Sequence, residues 1–156
     1  MKKLNITTKI QICNYNELNQ EEKDLIDYAK GACSRAYAPY SKFQVGAAIL
    51  LKNGEIVTGN NQENVAFPSG LCAERTALFY AHSQYPEQAV KSLAIAAYTQ
   101  GDFIEKPISP CGACRQVILE TEMRSKSPVK IYLYGKSEVL IVDGIGSLLP
   151  LAFNEL

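Results

Sequence analysis

The stretch CAERTALF, Cys72 to Phe79, places a thiol, a carboxylate and a guanidinium side by side in front of an apolar run. It follows a loop rich in Asn, Pro, Ser and Gly, which is typical of a segment that leads into a helix. We therefore expect a helix from about Leu71 to His82. Backbone N–H groups and the helix dipole favour a thiolate at such a start. The first turn carries groups suited to chemistry, and the later turns carry side chains suited to a core.

A second stretch, SPCGACRQVILE, places Cys111 and Cys114 three residues apart at the start of another predicted helix. Ser109 is expected to cap this helix, and Pro110 to occupy its first turn. Both sulfurs then project from that turn toward one point. The CxxC pattern alone is compatible with a redox pair, half of a structural zinc site, or chance.

Cys72 adds a third thiolate, because two helix starts can meet at the same edge of one sheet. A structural zinc site is closed by a fourth protein ligand, whereas a catalytic site leaves one position to water. The single histidine, His82, lies about three turns along its helix from Cys72, which is too far to complete the site. Glu74 can reach toward a metal-bound water without being a ligand, and can therefore move protons. The alternative is that Glu74 is an acidic residue favoured at a helix start.

The remaining patterns predict how these two helices are placed. Apolar spacing after Leu18 predicts a first helix, and the apolar runs around Asn53 and Gly54 predict a hairpin. The last two strands are joined by a turn too short for a parallel crossover, so they should be antiparallel. We expect an α/β domain, a three-layer α-β-α sandwich with a mixed sheet of about five strands. The five predicted strands are both strands of the hairpin within 45–61, 92–98, 129–135 and 138–142, and the arm has a candidate short strand at 9–13.

Composition narrows the function classes. The chain has 156 residues, 47% of them hydrophobic, and a formal net charge of zero. We expect an N-terminal arm over residues 1–16 and a single catalytic domain over residues 17–156. The zero net charge gives no footprint for nucleic acid, and no apolar run reaches membrane-span length. Five cysteines, an odd number, favour free or metal-binding thiols in the cytoplasm.

These motifs resemble the zinc-dependent cytidine deaminases, in their homotetrameric all-cysteine branch. The likeness rests on CAE and PCGAC, where the wider superfamily has HxE and PCxxC, and on YSKFQVGAAIL, NNQEN and LLPLAF. It implies one Zn²⁺ per subunit, held by Cys72, Cys111 and Cys114. It also implies hydrolytic deamination of cytidine and deoxycytidine in pyrimidine salvage, with a zinc-bound hydroxide that attacks C4. Glu74 would shuttle protons to ring N3 and to the departing ammonia.

The resemblance also implies substrate-binding roles. Phe43 would lie against the pyrimidine, Asn61 and Glu63 would bind the ribose 3′-hydroxyl, and Ser109 would offer its backbone carbonyl to the exocyclic amine. Arg75 has a separate physical role, because three thiolates around Zn²⁺ leave one negative charge that a guanidinium can offset.

Two aromatic residues are candidate contacts between subunits. Phe67 stands where many relatives have Tyr, and so lacks a hydroxyl that in the family can lie near a neighbouring subunit's site. Phe153 resembles an aromatic that packs into an adjacent protomer. We expect a small nucleoside substrate, with no nucleic acid and no membrane as partner. A nucleoside-like antibiotic and a base within nucleic acid remain the alternative substrates, and a structural zinc module and a CxxC redox protein the alternative classes.

Overall fold

A computed structural model describes residues 1–154 of the chain. Its centre is a mixed sheet in which the strands lie in the order β1-β7-β6-β4-β2-β3, with the short β5 paired to β4. β4 and β6 are parallel, and the other neighbouring strands are antiparallel. The strands are β1 (Gln11–Cys13), β2 (Gln44–Leu51), β3 (Ile56–Asn60), β4 (Val90–Thr99), β5 (Asp102–Phe103), β6 (Lys130–Tyr134) and β7 (Val139–Asp143).

Three helices cover the two faces of this sheet. α1 (Gln20–Cys33) packs on one face, whereas α2 (Ala73–Gln84) and α3 (Gly112–Ser125) pack on the other. The predicted three-layer sandwich is therefore confirmed. The prediction of about five strands is wrong, because the sheet has seven strands within residues 1–154. None of the helices described in residues 1–154 is both long and apolar enough to cross a membrane.

Local signals in the sequence account for several element boundaries. At the start of α1, Asn19 and Glu22 form a reciprocal capping box. Gly54 has a φ of 90°, the conformation that glycine adopts most readily, and it closes the predicted hairpin between β2 and β3. The predicted cap of α3 is wrong: Cys111 is the N-cap residue, and the helix begins at Gly112.

Two glycines allow helices to approach the sheet closely. A Cβ added at Gly46 would lie 2.0 Å from the carbonyl oxygen of Ala29 in α1. A Cβ added at Gly59 would lie 2.5 Å from the backbone nitrogen of Ala77 in α2. The bare backbone of β3 at Gly59 therefore sets the distance between α2 and the sheet.

Candidate active site

Three cysteine sulfurs converge where the first turns of α2 and α3 meet. Cys72 is the N-cap residue of α2, Cys111 is that of α3, and Cys114 follows in the first turn of α3. The Sγ atom of Cys111 lies 3.7 Å from that of Cys72 and 3.4 Å from that of Cys114. All three sulfurs lie within 4.8 Å of one another. The structure thus brings together the three residues predicted as metal ligands.

The donor set fits zinc. A tetrahedral zinc with Zn–S distances of about 2.3 Å separates its sulfur ligands by roughly 3.8 Å, close to the distances observed here. Among residues 1–154, the group contains three ligand side chains, all thiols, and no histidine or carboxylate joins it. His82 lies elsewhere, with its Nε2 atom 3.1 Å from the hydroxyl of Thr121. Three thiols with no fourth protein ligand among residues 1–154 are the donor set of a catalytic zinc site rather than of a closed structural one.

The surroundings of the cluster favour one thiolate at Cys72. Hydrogen bonding with the Cys114 thiol, with help from Arg75 and Cys111, lowers the pKa of Cys72, although burial opposes the shift. The pKa of the Cys114 thiol is raised strongly, first because the thiol interacts with the Cys72 sulfur by hydrogen bonding and then because the side chain is buried. The Nη2 atom of Arg75 lies 3.6 Å from the Sγ atom of Cys72, and its Nε atom is buried without a hydrogen-bond partner among the described residues. The guanidinium therefore lies beside the Cys72 sulfur, where a positive charge favours the thiolate.

Glu74 lies in the first turn of α2, two residues after Cys72, and is 5% exposed. Burial raises the pKa of this carboxyl, and the negative charge of Cys72 acts in the same direction. Hydrogen bonding to the backbone of Glu74, and to a smaller extent to Cys114, opposes both effects. Glu74 is not a member of the ligand group. A carboxyl with a raised pKa beside a metal site is suited to take up and return a proton.

A cavity of about 600 Å³ opens beside this cluster. Cys72 and Arg75 line the side of the cavity next to the cysteine cluster, and Asn61 and Glu63 also line it. The volume is in the range of small-molecule sites. The remaining lining residues are Tyr40, Ser41, Gln62, Asn64, Phe67, Gly70 and Leu71.

The family model described as cytidine and deoxycytidylate deaminase zinc-binding region matches residues 19–127. The chain belongs to this deaminase family. It is 42% identical over 130 residues to a cytidine deaminase of Halalkalibacterium halodurans, which covers 83% of this chain and 92% of that protein. It is 44% identical over 131 residues to a cytidine deaminase of Sporosarcina psychrophila, which covers 84% of this chain and 90% of that protein.

The fold is also that of solved structures with this family's name. A crystal structure of cytidine deaminase from Burkholderia pseudomallei has a TM-score of 0.72 and 38% identity, covering 87% of this chain and 100% of that one. A crystal structure of cytidine deaminase from Mycobacterium tuberculosis has a TM-score of 0.69 and 35% identity, covering 88% of this chain and 100% of that one.

In this member of the deaminase family, the side chains of Asn61 and Glu63 form hydrogen bonds with residues 40–45, at and before the start of β2. The Asn61 side chain donates to the carbonyl of Phe43 at 2.9 Å and accepts from the amide of Val45 at 2.8 Å. Glu63 accepts from the amide of Tyr40 at 2.9 Å and from the Ser41 hydroxyl. That hydroxyl is the main reason why the pKa of Glu63 is lowered, so the carboxylate stays ionised at neutral pH.

The other four predicted site residues differ in burial and in whether they line the cavity. Phe43 is half-buried and does not line the cavity. Ser109 is exposed just before Cys111. Phe67 lines the cavity, is 74% exposed and makes an edge-to-face contact with Tyr40, with ring centroids 6.0 Å apart. Phe153 is 68% exposed near the C-terminus.

Sequence reasoning missed three residues that the structure places at or beside the site. Tyr40 and Ser41 line the cavity, and Ser41 also holds Glu63. Arg115 donates hydrogen bonds to the segment that precedes Cys111. The signal for the first two was their position just before Phe43 in the YSKF stretch. Arg115 directly follows Cys114, but no local pattern shows which residues it contacts.

Proposed function

We propose that this member of the deaminase family hydrolyses cytidine and deoxycytidine to uridine and deoxyuridine, with release of ammonia. The observation that carries the proposal is the meeting of three thiols from two helix starts beside the buried Glu74, next to a cavity lined by Asn61 and Glu63. Cys72, Cys111 and Cys114 would hold zinc. When bound there, zinc supplies a nucleophile at neutral pH by lowering the pKa of a coordinated water.

Glu74 would be the proton carrier of the reaction. Its raised pKa, caused first by burial, makes the carboxylate a better proton acceptor than an exposed one. It would take a proton from the attacking water and deliver it to ring N3. The same carboxylate would next take the remaining proton from the hydroxyl now on C4 and give it to the amine, which leaves C4 as ammonia. One buried group can perform these transfers because it regains its original state at the end of the cycle.

The cavity offers polar groups that suit a nucleoside. Asn61 would bind the ribose 3′-hydroxyl with the amide hydrogen and lone pair that its hydrogen bonds to Phe43 and Val45 leave free. The ionised Glu63 would accept a hydrogen bond from the same sugar. The backbone carbonyl of Ser109 would accept from the exocyclic amine. Phe43 would form the wall against the pyrimidine, which requires its ring to reach the cavity.

Arg75 would compensate the charge of the thiolates. Its guanidinium is the positive group whose Nη2 atom lies 3.6 Å from the Cys72 sulfur. Three thiolates around a divalent zinc carry one net negative charge, which weakens the metal as an acid. A hydrogen bond from arginine withdraws electron density from sulfur and so restores that acidity.

The test compares four possible substrates on one enzyme preparation. Protein purified without chelator is assayed for zinc, and ultraviolet absorbance follows cytidine, deoxycytidine, cytosine and a cytosine-containing oligonucleotide. We expect turnover of the two nucleosides only. Turnover of the oligonucleotide alone would favour a base within nucleic acid as the substrate.

A paired substitution tests the role of Glu74. Glu74→Gln should retain zinc and lose about 10²- to 10⁴-fold in kcat, the usual contribution of general acid–base catalysis. Glu55→Gln, an exposed control in the turn between β2 and β3, should leave kcat unchanged. Full activity of a zinc-loaded Glu74→Gln enzyme would refute the assigned role. Wild-type protein without zinc would favour a CxxC redox protein.

We also propose that the enzyme works as a homotetramer in the cytoplasm, in pyrimidine salvage. Several large apolar side chains are exposed on the single chain, among them Phe67, Phe79, Tyr80 and Phe153. Their burial between subunits would remove apolar surface from water. All five cysteines are free, which suits a reducing compartment. Sedimentation that finds only monomers would refute the assembly.

We propose that residues 17–156 form the catalytic domain and residues 1–16 an arm, although Glu155 and Leu156 lie outside the described residues. The family match begins at residue 19, which supports a boundary near residue 17. The arm is not separate from the sheet, since β1 pairs with β7.

A further inference from the structure

The segment that leads into the zinc cysteines is held in an unusual way. Residues 106–110 make no backbone–backbone hydrogen bonds within the described part of the chain. Upstream, the carbonyl oxygens of Ile104 and Glu105 accept from the turn between β6 and β7. Downstream, the thiol of Cys111 provides no side-chain cap for α3. Side-chain hydrogen bonds therefore hold the polar backbone of this segment, while Ile108 packs against the core and Pro110 is buried.

Arg115 supplies those hydrogen bonds. Its Nε atom donates to the carbonyl of Pro110 at 2.8 Å, and its Nη2 atom donates to the hydroxyl of Ser109 at 3.0 Å. Its Nη1 atom donates to the carbonyl of Leu148 at 2.7 Å. The guanidinium is planar and rigid, so three acceptors in two separate segments are held in one fixed relation. Lysine has the same charge but lacks this fork.

The contact with Leu148 also links the C-terminal segment to the first turn of α3. The next residue, Gln116, donates from its Nε2 atom to the carbonyl of Phe153 at 2.8 Å. Residues 149–154 form no helix or strand. Two neighbouring side chains of α3 therefore hold both the segment before Cys111 and the segment that ends near Phe153.

We propose that Arg115 is a positioning residue that holds Ser109, Pro110 and Cys111 in the conformation that zinc and substrate require. The part concerning substrate rests on the proposed function. Cys111 is the exposed member of the three thiols, so its sulfur depends most on the backbone that carries it. Without Arg115 the segment must be ordered when zinc binds, which weakens binding. The Ser109 carbonyl would lose its fixed direction toward the substrate amine for the same reason.

The experiment compares Arg115→Gln and Arg115→Lys with the wild-type enzyme. Zinc affinity is measured by competition with a chromophoric chelator, and thermal unfolding and the KM for cytidine are measured on the same samples. Loss of groups that orient metal ligands typically lowers metal affinity about 10- to 100-fold, and we expect that loss for Arg115→Gln. Arg115→Lys should be intermediate, and KM should rise in both. Arg35→Gln is the matched control, because Arg35 makes a hydrogen bond to Thr58 on β3 and does not line the cavity.

A merely structural role predicts a different result. Both Arg115 variants would then unfold at lower temperature, while the folded protein would bind zinc as tightly as wild type, and this would overturn the proposal. If Arg115→Gln fails to fold, wild-type zinc affinity in Arg115→Lys overturns it equally. Failure of both variants to fold would make Arg115 a stability residue and would also overturn it. Wild-type protein that turns over no cytidine refutes the proposed function instead, and the zinc measurement still decides the role of Arg115.

Discussion

Substitution of Gly59 on β3 by alanine should disturb the active site by displacing α2. The added Cβ would lie 2.5 Å from the backbone nitrogen of Ala77 and 2.7 Å from the carbonyl oxygen of Ala73. Ordinary van der Waals contact begins at 3.4 Å. Both obstructing atoms belong to the backbone of α2, so no side chain can rotate away. The helix must move by about 1 Å, because close-packed interiors have no space to absorb the added methyl.

That displacement would act on chemistry and on stability together. The first turn of α2 carries Cys72 as its N-cap and Glu74 two residues later. A misplacement of about 1 Å can reduce the rate by about 10²-fold, because reacting groups lose their alignment. Overpacking of this kind lowers the free energy of unfolding by about 1–3 kcal/mol. Steady-state assays with cytidine and urea unfolding measure the two effects on one preparation of Gly59→Ala.

Gly31→Ala is the matched control for this prediction. Gly31 lies in α1, and a Cβ there would have no neighbour within 4 Å. Replacement of a helical glycine by alanine should raise the free energy of unfolding by about 0.5–1 kcal/mol and leave kcat unchanged. If Gly59→Ala were as stable and as active as wild type, close backbone contact would not be what positions α2.

Two further predictions concern charge around the cavity. Arg75→Gln should slow deamination and raise the pH of half-maximal activity, since the guanidinium that offsets the Cys72 thiolate is lost; an unchanged pH–rate profile would count against this role. Ser41→Ala should move the pKa of Glu63 upward toward its ordinary value, which an NMR titration of the carboxyl can follow. A carboxylate with a lowered pKa stabilises the folded protein above its ordinary titration range, and this stabilisation is lost as the pH falls through the lowered pKa. The variant lacks part of this stabilisation at neutral pH, so it should lose less stability in acid. If the pKa of Glu63 were the same in Ser41→Ala and in wild type, the Ser41 hydroxyl would not be the cause of its lowered value.

Much of the local structure could be predicted because its signals lie within a few residues. Helical spacing of apolar residues after Leu18 predicted α1, and Asn53 with Gly54 predicted the hairpin. The short separation of the last two strands predicted their antiparallel pairing. The strands that were missed or shortened are the briefest: β5 has two residues and β1 has three. Such segments carry no usable periodicity and exist because a neighbouring strand offers hydrogen-bond partners.

The chemistry of the site could also be anticipated from the sequence, because Cys72, Glu74 and the CxxC pair are specific in type and spacing. Tertiary structure decided what those residues touch. Gly59 lets α2 approach the sheet closely, and Arg115 binds the segment before Cys111 together with the carbonyl of Leu148, 33 residues away along the chain. Periodicity and capping act over one or two turns of chain, whereas these contacts arise only when distant segments pack against the same face of the sheet.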